Sequence, residues 1–503
     1  MIFLGITTSL SLPPFNYLLI NFLTFTLLLL FLIKKISQNS SSKLFFFYGW
    51  SFGFGYFLSS LYWISIALTF DENFKFLIPL TIILIPTLLA VFYGLVTYLF
   101  KILKPKNTVS SFLTFSLLFS VLEYVRGTIL TGFPWNLIAY SFSNHLEILS
   151  FTSVIGTYGF NLFCISLFSS PLFVILKKKR KDIGIFIFFI IMTIGAYIYG
   201  QSNKEKFYTE TRENHDYKIR VVGSNIGLDR FYNNIDSILV IEDLIKLSNP
   251  NPNDKTIFIW PEGILPDISQ EDLIEYKWLF EKSFSKNHFL IIGINNLTST
   301  NGTKDYFNSL SVYDNKLNLL NSYNKINLVP FGEFLPFEKF LNRIGLKSLV
   351  NNYQSFSSGD ERKVIEIKQK DLSLKFLPLI CYEIIYTGRL FLNSDFDLIV
   401  NISEDGWFGQ STGPKQHFVH SIFRSIENGK YLVRSANNGT SAIINPLGIV
   451  EQSVNFGESG YIDLKETRKI QPTIFSRYGN KIFGILILLY IFLIFSSNRF
   501  NNE

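Results

Sequence analysis

Seven long apolar stretches, several of them long enough to cross roughly 30 Å of hydrocarbon, decide what this chain can fold into. They run at 16–33, 44–64, 77–100, 109–125, 147–176, 183–200 and 481–496. Backbone in lipid must satisfy its own hydrogen bonds, so segments of this kind are helices, and the chain is predicted to be a helical membrane protein. A composition that is 48% hydrophobic and only 17% charged, with 53 Phe in 503 residues, excludes a wholly soluble or a disordered chain. Residues 2–12 form a shorter apolar stretch that Pro13-Pro14 ends in a turn, which brings the expected count to about eight helices. Reading it as a signal peptide is less favoured, because it has no basic segment ahead of it and no small-x-small site after it.

Charge gives the topology. The first 200 residues hold 13 Lys and Arg against 5 Asp and Glu, so the excess behind the net +7 belongs to the apolar half. Most of it lies in Lys34/Lys35/Lys43, Lys101/Lys104/Lys106 and Lys177–Lys181, between apolar segments, where the positive-inside rule reads cytoplasmic loops and a nucleic-acid patch is the poorer reading. Placing these inside puts Asp71-Glu72, the loop from Arg126 to His145 and everything from residue 201 to the last apolar stretch outside. A structural disulfide is not expected, since Cys164 lies in an apolar run and Cys381 in a polar region.

The organisation expected is N-terminal transmembrane helices over 1–200, a polar α/β domain over 201–475, and a closing helix with a short cytoplasmic tail over 476–503. Strand-like runs recur at 219–224, 256–260, 289–293, 309–313, 374–380, 398–402, 432–435, 441–444 and 460–464, several of them apolar throughout, as strands buried on both faces require. Helical pattern is clearest at 270–286 and 417–430, so sheets covered by helices are favoured over an all-β sandwich.

Three segments can carry chemistry. Leu379-Ile380-Cys381-Tyr382-Glu383 ends a strand in the only cysteine of the polar domain. A thiol at the rim of a sheet is a nucleophile if a base and a cation stand near, although a lone cysteine is more often an inert core residue. Ile257-Phe258-Ile259-Trp260-Pro261-Glu262 ends a strand in a carboxylate, and Lys325 and Glu333 flank Pro330-Phe331-Gly332. Glu262 can accept the thiol proton, and Lys325 can favour the thiolate and hold a tetrahedral oxyanion.

In that order and spacing the segments resemble the carbon–nitrogen hydrolase (nitrilase) superfamily. The resemblance implies an αββα sandwich, Glu262 as general base, Lys325 as oxyanion and thiolate stabiliser, and Cys381 as nucleophile. It also makes Glu333 a supporting carboxylate, gives the backbone N–H of Tyr382 as second oxyanion donor, and places Glu383 beside them in the cysteine motif. A narrower resemblance spans nearly the whole chain. Pro13-Pro14-Phe15-Asn16, Tyr62-Trp63-Ile64, Glu123-Tyr124-Val125-Arg126-Gly127, Phe133-Pro134-Trp135-Asn136 and Gly156-Thr157-Tyr158-Gly159, with Trp407-Phe408-Gly409, Gly413-Pro414-Lys415-Gln416-His417 and Arg434-Ser435-Ala436-Asn437-Asn438-Gly439, are similar to the signatures of the apolipoprotein N-acyltransferase family. An ordinary nitrilase has no reason to carry the membrane set.

That resemblance implies a multi-pass protein of the bacterial inner membrane with its catalytic domain on the periplasmic side. It implies a phospholipid acyl donor and a diacylated apolipoprotein acceptor, and a ping-pong exchange through a thioester on Cys381. The protein is expected to act as a monomer, without cofactor, metal or nucleic acid; five histidines offer no zinc-ligand spacing. Arg126 is read as an interfacial anchor, as a mutual i,i+3 pair with Glu123 or as a phospholipid contact, Trp135 as part of an aromatic belt or as a phospholipid contact, and Trp407 as a substrate contact. The chain departs from the commoner family pattern at Gly223, at Phe231 where a tryptophan is frequent, and at Glu404 and Gly406. Competing readings are a membrane-tethered amidase using water as second substrate, and a transporter or receptor without chemistry, for which paired charges inside the spans are missing.

Overall fold

The computed structural model describes residues 1–176, 180–232, 235–300, 303–336, 343, 355–369, 372–388 and 395–499. Residues 177–179 of the third basic stretch therefore lie outside the described residues. The apolar half forms α1 (Ile2–Ser9), α2 (Ile20–Ser37), α3 (Ser42–Leu61), α4 (Ile78–Leu103), α5 (Thr108–Arg126), α6 (Leu146–Leu149), α7 (Thr152–Ser169), α8 (Leu172–Leu176) and α9 (Arg180–Thr209). Among the described residues seven helical segments are long and apolar enough to cross a membrane: Ile20–Ser37, Ser42–Thr69, Glu72–Leu103, Thr108–Arg126, Thr152–Leu176, Asp182–Thr209 and Lys481–Arg499. The outward residues of α4, among them Leu80, Ile83, Leu84 and Leu88, are exposed, as a lipid-facing stripe should be.

The eighth apolar stretch does not span. Its helix α1 has 8 residues, a rise of about 12 Å, which is less than half the hydrocarbon thickness. It packs on α3 instead, so closely that a methyl group at Gly55 would meet the Ile2 carbonyl oxygen at 2.2 Å. Ser59 Oγ donates to Ser9 Oγ at 2.8 Å across the same contact.

The polar half holds two six-stranded sheets. The first has the order β12 (Gly460–Thr467), β1 (Glu213–Gly223), β2 (Thr256–Ile259), β3 (His288–Thr300), β4 (Thr303–Asp314), β5 (Leu319–Asn324). The second runs β11 (Val450–Val454), β10 (Ser441–Ile444), β9 (Tyr431–Asn437), β8 (Leu398–Glu404), β7 (Leu372–Ile380), β6 (Ile365–Gln369). In each the three central strands are parallel: β1, β2 and β3, and β7, β8 and β9.

Alternation along the strands builds the layers. Leu374, Phe376 and Ile380 of β7 join Val400 and Ile402 of β8 in packing against Ile219, Val221, Ile257 and Ile291 of the other sheet. The opposite face of the first sheet is covered by α10 (Ser237–Ser248) and α11 (Lys277–Ser283), through Val240, Ile241, Leu244, Leu279 and Phe280. The outer face of the second sheet, Leu377, Leu379 and Ile399, packs on α12 (Gly413–Asn428), and that cluster is continuous with the core of the membrane helices. The chain closes through α13 (Ile474–Tyr478) and α14 (Lys481–Arg499). Of the two expected helices, 417–430 is α12, which starts earlier because Pro414 suits a first turn and stops at Gly429 with φ 63°. The other, 270–286, is a 3-10 turn, Asp272–Tyr276, followed by the short α11.

One buried carboxylate joins the halves. Gly156 breaks α7 with φ 69°, where the Phe475 ring leaves no room for a side chain. The helix restarts at Thr157, whose N–H and Oγ1 donate to Glu427 Oε1 of α12 at 2.7 and 2.6 Å. A carboxylate at a helix start also meets the positive end of the helix dipole. Thr387 Oγ1 donates to the same oxygen at 2.6 Å, and Arg424 pairs with Glu427 at 2.8 Å while donating to the Ile385 carbonyl at 3.1 Å. Glu427→Ala leaves Arg424 buried and unpaired, so thermal unfolding in detergent should show a loss of about 3 kcal/mol; a variant within 0.5 kcal/mol, about the spread of a neutral surface change, would show that the joint is held elsewhere.

Candidate active site

The strand ends bring the expected residues together. Glu262 follows β2, Lys325 follows β5 and Cys381 follows β7, all beyond the carboxyl ends of strands, where open α/β sheets gather their ligands. Cys381 has φ 47°, a left-handed conformation costly for a residue with a Cβ, and it turns the chain sharply from β7 into the 3-10 turn Cys381–Ile385. Cys381, Glu262 and Lys325 are 8%, 5% and 1% exposed.

Lys325 Nζ donates to Glu262 Oε1 at 3.3 Å and to Glu333 Oε1 at 2.8 Å. Asn308 of β4, which no sequence motif singles out, bridges the same two oxygens through Nδ2 at 2.7 and 2.8 Å. The second oxygen of Glu262 accepts the Glu404 N–H at 2.8 Å, and that of Glu333 the Val329 N–H at 2.8 Å. Burial alone would lower the Lys325 ammonium, but Glu262 and then Glu333 hold it well above the usual lysine range. Burial pushes the Cys381 thiol well up, Glu262 adds to this and Lys325 opposes it. The thiol therefore has a carboxylate and a fixed cation in its field, acting on it in opposite directions.

Glu383 ties the elbow to the lysine segment. Its Oε1 accepts from Tyr323 Oη (2.7 Å), the N–H groups of Ile326 (3.0 Å) and Asn327 (3.2 Å), and Arg362 (2.9 Å), while Oε2 accepts the Ile380 N–H at 2.9 Å. Tyr382 ties the elbow to the membrane half: its hydroxyl donates to the Gly132 carbonyl at 3.0 Å, and that of Tyr386 to the Thr131 carbonyl at 2.8 Å. Beneath the elbow His417 approaches the Cys381 carbonyl oxygen at 3.3 Å and Asp405 Oδ1 at 2.9 Å. Burial would raise the Asp405 carboxyl, yet Arg434 and then His417 hold it well below the usual carboxylate range.

Of the roles expected for Arg126 the i,i+3 pair with Glu123 is the one present, and Trp135 does not lie in an exposed aromatic belt. Arg126 is 2% exposed, pairs with Glu123 and donates to the Phe133 carbonyl, so its guanidinium has no surface to present to a headgroup. What it shapes is the 126–133 loop, whose Thr131 and Gly132 carbonyls receive the tyrosines beside Cys381. Trp135 is buried as well, donating to Gln416 Oε1 at 2.9 Å and stacking on the His417 ring at 5.2 Å, so it is a joint between the halves instead of part of an interfacial belt. Trp407 is half-buried between Phe231 and Phe70, with ring centroids at 5.0 and 5.9 Å.

Comparison with known proteins follows the same division. Residues 4–170 match the family described as apolipoprotein N-acyltransferase N-terminal domain, and residues 257–469 match carbon–nitrogen hydrolase. The protein named apolipoprotein N-acyltransferase in Rickettsia prowazekii (strain Madrid E) is 32% identical over 505 residues, which is 98% of this chain and 96% of that one. The one so named in Rhizobium leguminosarum bv. trifolii (strain WSM2304) is 32% identical over 478 residues, 91% of this chain and 88% of that one. Among solved structures, a mutant of the Nesterenkonia AN1 amidase from the nitrilase superfamily is similar at 14% identity and TM-score 0.33, spanning 51% of this chain and 93% of that one. With the membrane signature and the hydrolase signature in one chain, and relatives that follow it almost end to end, this chain belongs to the apolipoprotein N-acyltransferase family.

Proposed function

We propose that this protein moves an acyl chain from a membrane phospholipid to the α-amino group of the diacylglyceryl-modified N-terminal cysteine of apolipoproteins. Glu262 takes the proton from Cys381, and the thiolate adds to an ester carbonyl of the phospholipid. Lys325 and the Tyr382 N–H hold the oxyanion until the C–O bond breaks, and the lysophospholipid leaves with the proton from Glu262. The acceptor amine then attacks the thioester and gives its proton to Glu262; the C–S bond breaks, the amide leaves, and the Cys381 sulfur takes that proton from Glu262. Donor product departs before acceptor reacts, so the kinetics are ping-pong.

The observation that carries the reading is the docking of the elbow on the membrane half. Tyr382 and Tyr386, one and five residues after the nucleophile, end on carbonyls of the 131–132 loop, so the turn that carries the thiol is anchored to the membrane-helix half of the chain. A site built for a soluble amide has no use for that contact. With the basic loops in the cytoplasm, the catalytic domain stands on the periplasmic side of the inner membrane.

Product analysis tests it. Phospholipid labelled in its acyl chains, incubated with the protein and a diacylated lipopeptide, should yield labelled N-acyl lipopeptide, with parallel double-reciprocal plots for the two substrates. Labelled free fatty acid with unmodified lipopeptide would replace transfer by hydrolysis.

A further inference from the structure

We propose that Arg230 and Glu404 are a positioning pair that fixes the general base Glu262 from two sides. The proposal rests on the reading of Glu262 as base and extends it to two residues for which no motif gives a role. Glu404, at the end of β8 and 2% exposed, donates its backbone N–H to Glu262 Oε2 at 2.8 Å. Its side chain in turn accepts from the Gly406 N–H at 2.8 Å, from Asn437 Nδ2 at 2.7 Å and from Arg230 Nη2. Arg230, also 2% exposed, spreads its remaining donors over backbone carbonyls: Ile226 at 3.1 Å, Gly227 at 2.7 Å and, through Nε, Gly263 at 3.2 Å.

Gly263 directly follows Glu262 and has φ 59°, with the Phe231 ring 3.2 Å from where a Cβ would stand. One partner of the pair therefore holds the carboxylate of the base and the other the backbone that carries it. The guanidinium also lies over the Phe231 ring at 4.5 Å, and that ring meets Trp407, so the same pair sets the aromatic cluster beside the base. Glu404 and Phe231 are both positions where the chain departs from the commoner family pattern. Burial pushes Glu404 up to about 7, and Arg230 with the other donors aimed at its oxygens restrains that rise.

The test uses Arg230→Lys and Glu404→Gln in the full-length protein in detergent. Arg230→Lys keeps the charge but loses the fork that reaches Glu404 and Gly263 together, and Glu404→Gln keeps the shape but not the charge. Both should lower the rate of Cys381 acylation by phospholipid about 10-fold, the scale expected of a misplaced base, with KM for the phospholipid within about twofold. Alkylation of Cys381 by iodoacetamide, which needs the same deprotonation but no lipid, should slow in parallel in both variants, with the unfolding temperature recorded alongside. If both variants acylate and alkylate at the wild-type rate, or if rates fall only where the protein unfolds, the pair is structural and the proposal is overturned. If wild-type protein takes no acyl chain while the variants still slow alkylation, the pair stands and the lipid donor is what fails.

Discussion

Glu262→Gln should slow acylation of Cys381 by about 10³-fold, within the range for loss of a general base. The Cys381 thiol is pushed up by burial and by Glu262 itself, so attack calls for a group that takes the proton as the bond forms. Both oxygens of Glu262 already receive donors, Asn308 and Lys325 on one and the Glu404 N–H on the other. A glutamine must turn its NH2 towards one of these sets, which should cost about 1–3 kcal/mol of stability. Thermal unfolding and acylation rate measured on the same preparation separate the two effects. Cys381→Ala removes the covalent route altogether and should leave no acyl adduct in a folded protein. An acylation rate within tenfold of wild type in Glu262→Gln would mean that another group accepts the proton.

Lys325→Met should fail in two ways at once. The ammonium is 1% exposed and faces two carboxylates; without it Glu262 and Glu333 remain buried together, at a cost of about 3–5 kcal/mol. Acylation should also fall by about 10²–10³-fold, because the cation aimed at the developing oxyanion is gone. Adding Glu333→Gln removes one of the two stranded charges, so the double variant should regain most of the stability and none of the rate. Recovery of both together would assign Lys325 a structural role only.

What the sequence made legible follows the physics of each signal. Hydropathy showed seven spans because lipid forces long uninterrupted apolar runs, and it overcounted at residues 2–12, where eight helical residues are apolar enough but too short. Strands buried on both faces stood out as apolar runs. β11, with four of its five residues exposed, and β6, which alternates, did not. Glu262, Lys325 and Cys381 were found because each ends or follows a strand in a short contiguous motif, and the structure brings them to one place.

Residues defined only by pairing across the fold stayed hidden. Asn308 lies beside an expected strand with no motif to mark it, and the partner of Glu404, itself visible only as a departure from the family pattern, is Arg230, 174 positions away. The i,i+3 spacing of Glu123 and Arg126 made their pairing legible, whereas Trp135 faces inwards because of Gln416 and His417, which no pattern in the sequence brings near it.

The central claim is that Cys381 carries the acyl chain between two lipid substrates. Intact-mass measurement tests it directly: the purified protein is incubated with phospholipid alone, freed of excess lipid, and then given a diacylated lipopeptide. The expected result is a mass gain of one acyl chain that Cys381→Ser does not form as a thioester, that survives in water, and that disappears as N-acyl lipopeptide forms. No mass gain in folded protein, or an adduct that water discharges as fast as the lipopeptide does, would contradict it.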